Sequence, residues 1–281
     1  MTISVADKRA AFRHLHEVGC FVIPNPWDIG SARYLQHLGF KALATTSSGF
    51  AWSMARPDNA MSRDDVLAHL KAISSAADIP VNADFEGGYA DDPGGVAHNV
   101  TLAVATGVSG LSIEDSTGNA DAPLYEFAQA VERVKAARRA IDATASGVFL
   151  TGRSEGFIVG RPDLKETIKR LTAYAEAGAD CLYAPGIRTT EDIAAVVRAV
   201  APKPVNFLAG GPLFTVAELA ALGVRRISVG GAMARTAWGD FMRGAKEIAE
   251  QGIFAALTRG ASGGELNGLF KKDWAERGDG R

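Results

Sequence analysis

Several common chemistries are ruled thin by what this sequence lacks. Its two cysteines, Cys20 and Cys181, stand far apart with no C-x-x-C or Cys/His spacing. Neither a disulfide framework nor a structural zinc is suggested. No apolar run approaches the roughly 20 residues of a membrane-spanning helix. The N-terminal MTISVADKRAAFRHLHE is charged and amphipathic, unlike a secretory leader. A cytoplasmic protein is the expectation. With a formal net charge of -2 there is no electrostatic reason to expect nucleic acid or an anionic membrane as partner. No strand is followed by the dinucleotide fingerprint, because Gly87-Gly88 and Gly230-Gly231 lack the G-x-G-x-x-G spacing. His14, His16, His37, His69 and His98 fall within or at the starts of helical segments, and Lys41 and Lys203 precede their strands. Histidine acid–base work, catalytic zinc and a Schiff-base lysine are all disfavoured.

What is present is a repeated unit. The chain is 47% hydrophobic and 22% charged, as expected of a soluble protein with a sizeable core. Helical segments end in glycine, one or more residues follow, and a short apolar strand begins; this happens at Gly19, Gly39, Gly107, Gly178 and Gly223. The predicted strands begin near Cys20, Ala42, Val81, Gly110, Val148, Cys181, Val205 and Arg226. A long polar loop is expected from Ser47 to Asp58. About eight such units with no composition break predict an α/β fold, a (β/α)8 TIM-type barrel spanning residues 1–281 as one domain. Residues 238–281 are expected to be a C-terminal helical extension that packs on a neighbour or covers an end.

The most informative stretch is Val81-Asn82-Ala83-Asp84-Phe85-Glu86-Gly87-Gly88-Tyr89. Strand alternation places Asn82, Asp84 and Glu86 on one face. Two carboxylates there repel, and a divalent cation is the simplest positive charge to offset them. In a barrel the C-terminal strand ends share one face, where chemistry is found. Those ends carry Asp28, then Ser48 and Asp58 on a loop, Asp84, Glu86, Glu114, Asp115, Arg153, Glu155, Tyr183 and Asn206. An all-oxygen set with one arginine suits Mg²⁺, or Mn²⁺, better than softer metals. Ser48-Gly49-Phe50 reads as a turn able to present backbone N–H groups to an anion.

With these residues assembled, the chain resembles the isocitrate lyase / phosphoenolpyruvate mutase superfamily. The matching segments are Asn25-Pro26-Trp27-Asp28, Ser47-Ser48-Gly49-Phe50, Arg56-Pro57-Asp58, Ala83 to Tyr89, Ile113-Glu114-Asp115 and Gly152-Arg153-Ser154-Glu155. The resemblance implies Mg²⁺ and a small 2-oxo or 2-hydroxy acid cleaved at a C–C or C–P bond through an enolate. It implies a helix-swapped homo-oligomer, usually a tetramer. It implies that Asp84 and Glu86 are metal carboxylates, with Asn82 standing where the mutases have a first aspartate, and that Glu114 acts on the metal through water. Ser48, Gly49 and Phe50 match the segment that holds the substrate carboxylate or phosphonate. Arg153 matches the arginine that neutralises developing charge, and Asp58 the catalytic loop aspartate. Asn206 is the further candidate for substrate binding. One departure stands out. Where the isocitrate and methylisocitrate lyases carry a Lys-Cys-Gly-His loop, this chain has Ser116-Thr117-Gly118-Asn119-Ala120-Asp121-Ala122-Pro123, which argues against those two activities. Two other readings are a barrel enzyme binding a phosphorylated substrate at Gly210-Gly211 and Gly230-Gly231, and a member that binds ligand without turnover.

Overall fold

Glycine terminates helices throughout this chain for a steric reason. Gly19, Gly39, Gly107, Gly178 and Gly223 all have φ between 79° and 101°, a region that costs a residue bearing a Cβ about 1–2 kcal/mol. The computed structural model describes residues 3–278. In chain order the elements are α1 (Val5–Leu15), β1 (Phe21–Ile23), α2 (Ile29–His37), β2 (Leu43–Ala44), α3 (Ser47–Ser53), α4 (Arg63–Ala76) and β3 (Val81–Ala83). They continue with α5 (Pro93–Ala105), β4 (Gly110–Glu114), α6 (Phe127–Ala143), β5 (Phe149–Arg153), α7 (Leu164–Glu176), β6 (Cys181–Tyr183) and α8 (Thr190–Val200). The last are β7 (Val205–Leu208), α9 (Val216–Ala221), β8 (Arg226–Ser228), α10 (Ala232–Gln251), a 3-10 turn at Ala255–Arg259, and α11 (Gly263–Arg277). Among the described residues no helix is long and apolar enough to cross a membrane.

The eight strands pair in parallel in the order β1-β8-β7-β6-β5-β4-β3-β2, the (β/α)8 barrel expected. No ladder joins β1 to β2, and a side chain helps close that seam. Ala44 N–H donates to the Pro24 carbonyl at 3.0 Å. Beside it, the Asn25 amide donates to the Thr45 carbonyl at 2.8 Å, while its oxygen accepts from Val229 N–H and Gly230 N–H, each at 2.9 Å. Asn25 thus stands in for ladder bonds on both sides of β1, satisfying backbone groups that would be costly to bury alone.

The N-terminal end of the barrel is plugged by α1. Phe12 and His16 lie one helical turn apart, so they share a face. Phe12 meets Phe149 edge-on, and His16 stacks on Phe149 with ring centroids 4.0 Å apart. Burying a phenylalanine such as Phe12 stabilises by roughly 1.5–3 kcal/mol. Behind the plug, Arg226 at the start of β8 donates to Asn206 Oδ1 at 2.8 Å, Thr151 Oγ1 at 3.0 Å and His16 Nε2 at 3.4 Å.

The chain divides into two compact units, one up to Gly231 and one from Ala232. The first holds the barrel. The second consists of α10, the 3-10 turn and α11, and keeps Phe241, Met242, Phe254 and Trp274 more than half exposed.

Candidate active site

Strand register builds the site. Glu114 and Arg153 are the last residues of β4 and β5 and are register partners; Arg153 in turn pairs with Tyr183, the last residue of β6. Three adjacent strands therefore deliver a carboxylate, a guanidinium and a phenol side by side. Asp84 follows the end of β3 directly. Its Oδ2 accepts from Ser47 N–H and Ser47 Oγ, both at 3.0 Å, and its backbone N–H donates to Thr45 Oγ1 at 2.9 Å.

Arg153 sits at the centre. Its Nη1 lies 3.2 Å from Asp84 Oδ1 and 3.1 Å from Glu114 Oε2. Glu155 holds the other edge of the guanidinium through Nε and, at 3.0 Å, through Nη2, a bidentate grip that orients the fork. Glu155 is itself placed by Asp115, whose Oδ1 accepts Glu155 N–H at 2.7 Å and whose Oδ2 accepts from Tyr174 OH at 2.6 Å and Arg170 at 3.2 Å. Asp115 is therefore a support behind the site, as its taken-up oxygens show. Asp28, also at a strand end, caps α2 by accepting Ser31 N–H at 2.7 Å.

The electrostatics are lopsided. Asp58, Asp84, Glu86, Glu114 and Glu155 influence one another around a single arginine. Two like unit charges some 6 Å apart repel by about 3 kcal/mol at an effective dielectric of 20. Burial, then Asp84, pushes the Glu86 carboxyl up to about 7. Burial raises Glu114 well above the usual range, with Arg153 opposing it. Burial, then Asp84, also raises Asp58, and burial raises Glu155 against the pull of Arg153. Burial lowers the Arg153 pKa, but Glu114, Glu155, Tyr183 and Asp84 outweigh it and the net shift is upward. The cluster sets five carboxyl groups against one guanidinium.

That deficit is the test of fit for a divalent cation. Among the described residues no three His, Cys, Asp or Glu side chains form a metal cage. Mg²⁺ seldom needs one, since it is commonly held by one or two carboxylates and several waters. Oxygen donors and excess negative charge both suit it, with the buried Glu86 carboxyl beside the Tyr89 hydroxyl.

The structure corrects two expectations. Ser47–Ser53 is the short helix α3, not a loop: Thr46 caps it by accepting Gly49 N–H at 3.3 Å. Glu86 does not share a strand face with Asp84. β3 ends at Ala83, and Glu86 has φ 46° in the turn beyond, where alternation no longer applies. Asn206, at the second position of β7 and 1% exposed, is the register partner of Tyr183, and its amide accepts from Arg226 and donates to Ser228 Oγ at 3.0 Å. Ser48 lies where a Cβ on Gly231 would come within 2.7 Å of its hydroxyl, and Phe50 stacks on His69 at 3.9 Å. Ser47 and Glu155 were the residues underrated. Ser47 stands beside Ser48, and Glu155 two places beyond Arg153, but nothing in their spacing shows that they grip Asp84 and Arg153.

A (β/α)8 barrel whose strand ends gather carboxylates around one arginine defines a class of barrel enzymes that manage negative charge. The particular family follows from comparison. The phosphoenolpyruvate phosphomutase family matches residues 12–249, and the chain belongs to it, within the isocitrate lyase / phosphoenolpyruvate mutase superfamily. A crystal structure from Burkholderia cenocepacia J2315 with a lyase/mutase designation superimposes with TM-score 0.92 at 49% identity, covering 95% of this chain and 97% of that one. An uncharacterized Mycobacterium tuberculosis H37Rv protein is 33% identical, over 78% of this chain and 81% of its own. The oxaloacetate decarboxylase of Pseudomonas savastanoi pv. phaseolicola is 30% identical, over 78% and 77% respectively.

Proposed function

We propose that this chain is a Mg²⁺-dependent lyase-type enzyme that cleaves a C–C or C–P bond beside the oxo group of a small 2-oxo acid. The observation that carries the reading is Arg153 held bidentately by Glu155 with its Nη1 corner aimed between Asp84 and Glu114. Asp84, with Glu86 and Glu114 through water, would hold the ion, which when bound polarises the 2-oxo group and its neighbouring carboxylate. As the bond breaks, its electron pair moves toward the oxo group. Arg153, fixed in advance, stabilises the enolate charge that develops, and such preorganised donors commonly supply the largest part of rate enhancement. Ser48, Gly49 and Phe50 line the approach for the acid group, and Asp58, near Asp84 and Ser47, would orient water or a phosphoryl group.

Decarboxylation of an oxaloacetate-like acid fits the residues best. It releases carbon dioxide and leaves an enolate that solvent can protonate, so the absence of cysteine, lysine and histidine from Ser116–Pro123 is no obstacle. The decarboxylase relative supports the same direction. A phosphate site after β8 is disfavoured, because the Val229 and Gly230 N–H groups are taken by Asn25. The exposed apolar side chains of the C-terminal unit suit a homotetramer with exchanged helices, which sedimentation would reveal. The deciding experiment is turnover of oxaloacetate, phosphonopyruvate, methylisocitrate and related acids with Mg²⁺ and with chelator. Turnover of one acid that chelator abolishes is expected; turnover indifferent to chelator sinks the reading.

A further inference from the structure

The turn that carries Glu86 is held in an unusual way. Glu86, Gly88 and Tyr89 have φ of 46°, 77° and 56°, so three of four consecutive residues are left-handed and two of those bear side chains that disfavour it. Such a turn persists only if its surroundings over-determine it. Every carbonyl from Glu86 to Asp91 accepts a hydrogen bond. Glu86 O takes Glu114 N–H at 3.1 Å. The Asn99 amide on α5 donates to Gly88 O at 2.9 Å and Tyr89 O at 3.1 Å. Arg133 on α6 takes the rest: Nη2 donates to Gly87 O, and Nη1 donates to Ala90 O and, at 2.6 Å, to Asp91 O.

Arg133 is 1% exposed and lies over the Tyr125 ring, 3.9 Å from Cζ to the centroid. The Tyr125 hydroxyl donates to Asp91 Oδ1 at 2.6 Å, so the segments after β3 and β4 are tied through one guanidinium. Gly87 permits the approach, since a Cβ there would stand 3.0 Å from Arg133 Nη2. A lysine has no planar fork to reach three carbonyls while stacking on a ring. The segment so held walls a cavity of about 290 Å³ lined by Glu86, Tyr89, Glu114, Thr117 and Tyr125, and the buried Glu86 carboxyl and Tyr89 hydroxyl lie beside each other there.

We propose that Arg133 is a positioning residue: gripping the carbonyls of Gly87, Ala90 and Asp91 from α6, it holds Glu86 and Tyr89 left-handed, with their side chains at the cavity, and so sets the geometry of a site it does not touch. The consequence for the ion rests on the Mg²⁺-dependent reading above; the grip itself does not.

Mn²⁺ binding followed by electron paramagnetic resonance, in the wild type, R133K, E86Q and the double variant, tests it without turnover. R133K is expected to weaken Mn²⁺ about tenfold, and the double variant to bind no more weakly than E86Q, because Arg133 acts through Glu86. Losses that multiply, or wild-type binding in R133K, overturn the proposal. Should the wild type itself fail to bind Mn²⁺, the metal reading fails and Arg133 is judged by the crystal structure of R133K. Glu86 and Tyr89 relaxed from positive φ would uphold the grip, and both retained would overturn it. If R133K does not fold, Asn99→Ala, which frees the Gly88 and Tyr89 carbonyls, undergoes the same measurements with the same expectations.

Discussion

Two arginines in one barrel, one partly and one fully buried, have opposite surroundings. Arg153, at the C-terminal end, contacts Asp84, Glu114 and Glu155. Among the described residues Arg226, at the start of β8 and 3% exposed, hydrogen-bonds to the neutral acceptors Asn206, Thr151 and His16. The first sits among more carboxylates than one guanidinium neutralises, an arrangement poor for stability and of the kind that collects at functional sites. The second is a cation whose donors are matched by dipoles, an arrangement that knits strands β5, β7 and β8 to α1. An arginine inside a barrel is thus informative only through its partners.

The contrast predicts a separation of effects. Arg153→Ala should lower turnover by roughly a hundred- to a thousandfold, the range for removing one preorganised donor, while circular dichroism still reports a folded barrel. Asp84→Ala should do likewise. Arg226→Met should instead cost about 2–4 kcal/mol in urea unfolding, since it strands buried acceptors, with activity per folded molecule within about twofold. Equal losses of activity in Arg153→Ala and Arg226→Met would erase the distinction.

A third effect is a pH dependence at the quiet end. His16 is held down to about 3 by burial and then by Arg226; its Nδ1–H donates to the Phe12 carbonyl at 2.7 Å and its Nε2 accepts from Arg226, so it folds neutral. With the folded value below the unfolded one, its stabilisation is complete above about pH 6.5 and is lost as pH falls toward 3, at up to about 1.4 kcal/mol per unit. His69, lowered to about 4 mainly by burial, adds to the same trend. His16→Gln should flatten the decline of the urea midpoint between pH 7 and 5; an unchanged slope would refute the assignment. The smallest effect is expected at Asp28, a strand-end acid outside the cluster. Asp28→Ala should cost about 1 kcal/mol as a lost cap and leave turnover alone.

Much of this was legible in the chain. The glycine-terminated helices and apolar strands repeat locally, so element order and the barrel follow from pattern. Asp84, Glu114 and Arg153 are strand-end residues, and a barrel collects strand ends on one face by its topology. Other features were not legible. Glu86 lies three residues beyond the end of β3, where alternation no longer holds, and the Ser47–Ser53 helix reads along the chain as the start of a polar loop. That Asn206 bridges Arg226 and Ser228 could not be read until the strand register was seen. Arg133 reads along the chain as a charged residue on an amphipathic helix, yet it is among the most buried side chains of the barrel.

Residue order was enough for whatever depends on neighbours within a few positions: where helices stop, which strand faces are apolar, and which charges fall at strand ends. Packing between distant segments had to settle which acid grips Arg153, which merely caps a helix, and which arginine stands among carboxylates. Those outcomes turn on ångström-scale contacts between residues tens of positions apart, such as Asp84 with Arg153 and Gly87 with Arg133, and no local pattern encodes a distance across the barrel.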